Sequence, residues 1–210
     1  SDVDSLGGVS VWYTVFHMKQ QDEEIEVRFL DIDKPALVAQ LRSRTDVEDL
    51  GEHLLTEAIC YDVDLTWLHS PRLIRVRDYG NGVVHMTYKE SSDAATGTKE
   101  IECTVNDFDT ACRFLDAIGF PVYRKQEKYR HTFHMKHNTG DTTVLDVDTW
   151  PTLPPYVEIE GNSEVLVRAA AETLGFDYVQ AETRNARRVI EEVYGIPVGT
   201  MREFTFQAQK

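Results

Sequence analysis

Charged residues recur two apart inside segments that otherwise read as β-strands, and few folds tolerate that pattern. Glu24, Glu26 and Arg28 stand at i, i+2, i+4, and Arg75/Arg77, Glu100/Glu102, Lys128/Arg130, Asp146/Asp148 and Glu158/Glu160 repeat the spacing, with Arg124 in the phase of Lys128. Between them sit mostly apolar residues: Ile25, Val27, Val76, Ile101, Val147 and Ile159. Side chains two apart on a strand share one face of the sheet. One such doublet is ordinarily a solvated face over an apolar core. Six of them, acidic and basic strands mixed, point instead to a closed antiparallel sheet with a polar interior and helices packed outside.

Turn and cap signals support short strands with interspersed helices. Asp33-Lys34-Pro35 opens a helix through Leu41, Asn106 or Asp107 can cap Phe108–Ile118, and Ser163–Leu174 and Thr183–Tyr194 carry helical patterns that stop at Gly175 and Gly195. Asp46–Leu55 is a weaker helical candidate. Tyr79-Gly80-Asn81-Gly82 turns between two strands, Ser91–Thr98 reads as a polar loop, and Asn138-Thr139-Gly140-Asp141 joins the best hairpin, Tyr123–Met135 with Thr142–Val147. Residues 1–22 read as a leader or an extra strand, with Val9–Phe16 apolar and β-prone. Residues 23–210 read as a single α+β domain.

The formal charge of −14, from 36 acids against 22 Lys and Arg, argues against general nucleic-acid binding, which needs a basic footprint. No apolar run reaches the roughly 20 residues of a membrane span. Three cysteines without a C-x-x-C pair fit a reduced cytoplasm better than a disulfide scaffold. No sequence signature sets an oligomeric state.

A lumen lined with both signs of charge is costly unless it is watered and occupied. Glu and Asp oxygens suit hard divalent cations, Mg²⁺ or Mn²⁺, and Arg and Lys suit phosphate oxygens. A chamber holding both suits a metal–polyphosphate complex.

These residues resemble the CYTH superfamily, the triphosphate tunnel metalloenzymes. Glu24-Ile25-Glu26-Val27-Arg28 is similar to that family's E-x-E-x-K opening strand, and the likeness continues through Leu73–Asp78, Met86–Glu90, Lys99–Val105, Lys128–Phe133, Val144–Asp148, Tyr156–Gly161 and Val193–Ile196. The resemblance implies a closed eight-stranded antiparallel barrel, or tunnel, that binds a small-molecule triphosphate with divalent metal. Tripolyphosphate, thiamine triphosphate and ATP are the substrates it implies. It further implies metal-holding carboxylates at Glu24, Glu26, Glu102, Asp146, Glu158 and Glu160, with Glu100 able to share the role of Glu102. Phosphate clamps fall at Arg28, Arg75, Arg77, Lys89, Lys128 and Arg130, and catalytic roles at Glu24, Glu26, Arg28 and Lys89.

Two departures stand out. Arg28 replaces the motif lysine with a permanently charged fork that gives up no proton readily, and the family's second strand motif is reduced to Ala58-Ile59-Cys60-Tyr61-Asp62. Triphosphate hydrolysis is the leading expectation. Class IV adenylyl cyclase chemistry and non-catalytic polyphosphate or nucleotide binding are the alternatives. His131, His134 and His137 stand three apart, but that spacing alternates faces on a strand and cannot gather one zinc ion.

Overall fold

Strand alternation carries directly into the computed structural model, which describes residues 25–91 and 98–208. The expected leader at residues 1–22, Glu24 and the loop following Ser91 lie outside the described residues. Eight strands form one antiparallel path: β1 (Ile25–Phe29), β2 (Val47–Cys60), β3 (Arg72–Asp78), β4 (Val84–Ser91), β5 (Thr98–Val105), β6 (Val122–Lys136), β7 (Thr142–Thr149) and β8 (Tyr156–Gly161). Their order is β1-β8-β7-β6-β2-β3-β4-β5, and a short β9 (Glu203–Phe204) adds parallel to β6.

The path is therefore an open one. Among the described residues β1 and β5 do not pair, so hydrogen bonds do not close the sheet into the barrel the sequence led us to expect. The edge of β1 is instead covered in part by the C-terminal segment. Arg28 and Glu182 exchange both backbone hydrogen bonds, at 2.8 and 2.9 Å.

The apolar residues between the charged doublets build the other face. Val27 and Phe29 of β1, Leu145 and Val147 of β7, Val157 and Ile159 of β8 and Phe133 of β6 pack with Leu37 and Leu41 of α1 (Lys34–Arg42) and with Val167, Ala170 and Ala171 of α3 (Glu164–Thr173). Each fully buried aliphatic side chain there contributes about 1.5–3 kcal/mol. A second cluster joins Ala58, Cys60, Val76 and Val84 to Ala111 and Leu115 of α2 (Phe108–Ala117). The helices begin at side-chain caps: Asp33, Asp107 and Ser163 accept from the backbone N–H groups of Ala36, Thr110 and Leu166. Among the described residues no helix is long and apolar enough to cross a membrane.

One helical expectation fails and another is shortened. The segment expected as helix, Asp46–Leu55, is strand from Val47 on, the first half of β2, and its alternation is broken by a bulge between Asp49 and Glu52 where Gly51 takes φ +89°. Thr183–Tyr194 starts late, because Asn185 caps a short turn, Ala186–Arg188, that widens into a π-turn over Val189–Val193.

The turn after β3 shows a close approach that only glycine permits. Gly80 has φ +70°, and a Cβ there would sit 2.6 Å from the carbonyl oxygen of Leu54 in β2. Gly80→Ala is expected to cost about 1–3 kcal/mol through clash and left-handed backbone strain together, read as a lowered denaturation midpoint.

Candidate active site on the inner sheet face

Because the described doublets keep their phase, the strands bring their charged residues to one face. Cross-strand register then sets who meets whom. Arg28 lies opposite Glu158 and Glu26 opposite Glu160. Asp146 lies opposite Glu158, Arg130 opposite Asp148, Glu57 opposite Arg77, and Lys89 opposite Glu100.

The β6–β7–β8–β1 side is a carboxylate cluster crossed by cations. Directly opposed like charges destabilise a sheet, and Arg130 resolves the Asp146–Glu158 conflict by bonding both. It donates to Asp146 Oδ2 at 2.5 Å, to both oxygens of Asp148 at 2.7 Å, and to Glu158. Lys128 Nζ donates to Asp148 Oδ2 at 2.6 Å and lies 5.1 Å from the centroid of the Trp150 ring. Arg28 Nε donates to Glu158 Oε1 at 2.9 Å, a second nitrogen to the carbonyl of Arg184 at 2.6 Å, and a third to Glu26. Burial opposes ionisation of Glu158, but Arg28, Arg130 and Lys128 outweigh it and hold that carboxyl well below the usual range. Arg28 stays protonated: burial works against its charge, and Glu158 and Glu26 overcome it.

Glu26 behaves oppositely. Burial, and then the charge of Glu158, push its carboxyl up to about 7 despite Arg28. Its side chain remains 37% exposed, so water moderates that push. Glu26, opposite Glu160 and next to Glu158 on the same face, offers hard carboxylate oxygen of the kind that suits a divalent cation. Among the described residues no three carboxylate, histidine or cysteine side chains converge into a ready-made cation site. Such an ion would complete its shell from the anion it accompanies, as Mg²⁺ commonly does with phosphates.

The β2–β3–β4–β5 side is richer in cations. Arg77 is anchored, its Nε and Nη2 both 2.5 Å from Glu57 Oε1. Arg75 is not: its Nε is buried and meets no hydrogen-bond acceptor among the described residues. Burial first, then repulsion from Arg77, lowers the Arg75 pKa. Burial and Arg75 likewise lower that of Lys89, which pairs with Glu100. A buried guanidinium nitrogen without an acceptor is expensive, and beside Arg77 and Lys89 it marks a place for an anion.

The sequence-derived set therefore divides. Glu26, Arg28, Asp146, Glu158, Glu160, Lys128 and Arg130 gather on one side, and Arg75, Arg77 and Lys89 on the other. Glu102 belongs to the second side, accepting from Thr87 Oγ1 at 2.8 Å, and sits apart from the carboxylates grouped with it by sequence. Asp146 and Asp148 are held by Arg130, which makes them its counter-charges. His131 packs on the apolar face, 2.6 Å from Asp49, while His137 bonds Thr143, so the histidines share no centre. Glu57 was not among the sequence candidates. It is a single acid between Thr56 and Ala58, with no doublet to mark it.

A family model for the CYTH domain matches residues 22–185. The chain belongs to the CYTH domain family. Solved structures agree in fold. A protein from Pyrococcus horikoshii is 21% identical with a TM-score of 0.60, over 77% of this chain and 96% of that one. A candidate adenylate cyclase from Vibrio parahaemolyticus reaches 0.67 at 14% identity, over 82% and 99%. A Hippeastrum protein first assigned as an adenylyl cyclase, and found to have a dominant triphosphatase activity, reaches 0.55 at 17%, over 85% and 99%. These likenesses are of fold alone. No protein with a curated description matches the sequence.

Proposed function

We propose that residues 23–210 form one cytoplasmic CYTH tunnel domain whose inner face closes around a triphosphate and hydrolyses it with Mg²⁺ or Mn²⁺. The observation that carries this reading is the buried, acceptor-less Arg75 Nε facing the same interior as the Glu26–Glu158–Glu160 carboxylates. Arg75 and Lys89 hold phosphate oxygens on one side, and on the other Glu26, with Glu160 opposite it, would offer carboxylate oxygen to a divalent cation that takes the rest of its shell from the phosphates and water. Such an ion would supply charge neutralisation at the phosphoryl oxygens. Lys128 and Arg130, tied to Asp148, hold the intervening face in a fixed geometry. Arg28 donates hydrogen bonds without releasing a proton. Lys89, its pKa lowered by burial and Arg75, is placed to give a proton to the departing phosphate. The triphosphatase activity of the Hippeastrum protein supports hydrolysis over cyclisation.

Purified protein offered tripolyphosphate, thiamine triphosphate and ATP should release phosphate only with Mg²⁺ or Mn²⁺ and stop on chelation. Glu26→Gln should lower turnover about 10²-fold without loss of circular-dichroism signal. Cyclic AMP with pyrophosphate would instead assign the cyclase reaction. Tight tripolyphosphate binding with no product would leave a binding module.

A further inference from the structure

Arg75 and Arg77 share a strand, a face and a residue type, yet their surroundings differ. Glu57 is 2% exposed and both of its oxygens are used. Oε1 takes Arg77, and Oε2 accepts from Gln126 Nε2 at 2.5 Å. Gln126 Oε1 in turn accepts from Arg124 Nε at 2.8 Å, and Arg124 Nη1 donates to the carbonyl of Val198 at 2.9 Å. The chain Val198–Arg124–Gln126–Glu57–Arg77 thus runs from the C-terminal segment across β6 and β2 to β3. It ends on the guanidinium beside Arg75, whose buried Nε has no acceptor among the described residues. The remaining Arg77 nitrogen, Nη1, lies 3.4 Å from the Tyr79 hydroxyl, and the Tyr79 ring stands under the same guanidinium at 5.4 Å.

We propose that Glu57 is a positioning residue: it locks Arg77 in place, so that the doublet acts as one fixed arginine and one open one, and Arg75 is the arginine that takes the substrate phosphate. This rests on the triphosphate reading. The physical reason is preorganisation. Two like charges two residues apart repel, and each would wander or turn to the nearest carboxylate. Glu57 neutralises one of them at a fixed point, which leaves the other on the inner face with its Nε–H unspent. Burial opposes ionisation of Glu57, but Arg77, Arg75 and Lys128 hold it firmly ionised.

The test uses the Nε–H resonances of ¹⁵N-labelled protein, which see each arginine separately. In wild-type protein, Arg77 Nε–H should be slow to exchange, and titration with tripolyphosphate and Mg²⁺ should shift Arg75 Nε–H while moving Arg77 little. Glu57→Gln should abolish the Arg77 protection. It should also lower kcat at least tenfold with KM unchanged or reduced, because an anion-repelling charge has gone while the fixed donor is lost. Arg77→Lys, which keeps the charge but loses the two-nitrogen attachment, should reproduce the kcat loss. Equal shifts at Arg75 and Arg77, or a folded Glu57→Gln protein with wild-type kcat, would overturn the proposal. Wild-type protein that neither binds nor hydrolyses tripolyphosphate would overturn the triphosphate reading instead. In that case the loss of Arg77 protection in Glu57→Gln would still support the tie between the two residues.

Discussion

Arg75→Met should leave the protein at least as stable as before and cut kcat/KM for its triphosphate about 10²–10³-fold, the usual effect of removing one donor that meets developing charge. Both halves come from one observation. Arg75 Nε is buried without an acceptor and its head group repels Arg77, so the folded protein carries an unrelieved cost there. Methionine keeps most of the side-chain volume and removes the charge. Thermal or denaturant melting and steady-state kinetics on the same sample read the two outcomes. A large loss of stability would mean Arg75 has a protein partner, and unchanged kinetics would mean the phosphate lies elsewhere.

Arg130→Met should do the reverse to stability. Arg130 serves Asp146, Asp148 and Glu158 at once, and the carboxylates it leaves behind are 7%, 0% and 7% exposed. Breaking a buried ion pair from one side costs about 3–5 kcal/mol, a large fraction of a domain's usual margin. The variant should therefore melt far below wild type or fail to fold, and a wild-type midpoint would refute the network. Acid should weaken the same region. Glu57 and Glu158 both have folded pKa values held below their unfolded ones. Their contribution is present above the ordinary carboxyl range near 4.5 and is lost as pH falls below it towards the folded values.

Much of this face was legible because strand geometry has a period of two and the charges keep it. Once Arg75/Arg77 and Lys128/Arg130 are read as strand residues, their sharing a face follows without a structure. What was hidden had specific causes. Gly51 inserts a bulge that breaks the alternation of β2, so half of that strand read as helix. Glu57 stands alone in its strand, and its meaning comes only from the register that sets it opposite Arg77. Asp148 was visible as half of a doublet, but its complete burial under Lys128 and Arg130 depends on cross-strand neighbours. The open strand path could not be read either, because pairing between β1 and β5 is a property of the whole sheet.

The covering of β1 by the C-terminal segment has a consequence for how the molecule is made. Arg28 takes Glu158 from 130 positions away and the carbonyl of Arg184 from 156 positions away. The first of the described strands to leave the ribosome is thus among the last to find its partners. Contacts so distant along the chain must be reached against a loop-closure cost, and they slow folding. Until they form, β1 lacks the backbone partner that Glu182 supplies and Arg28 has only its neighbour Glu26 of its three acceptors. Chains halted shortly before residue 184 would carry the inner-face charges on all eight long strands yet lack the segment that shields the first. Such an intermediate is a natural target for chaperones and proteases.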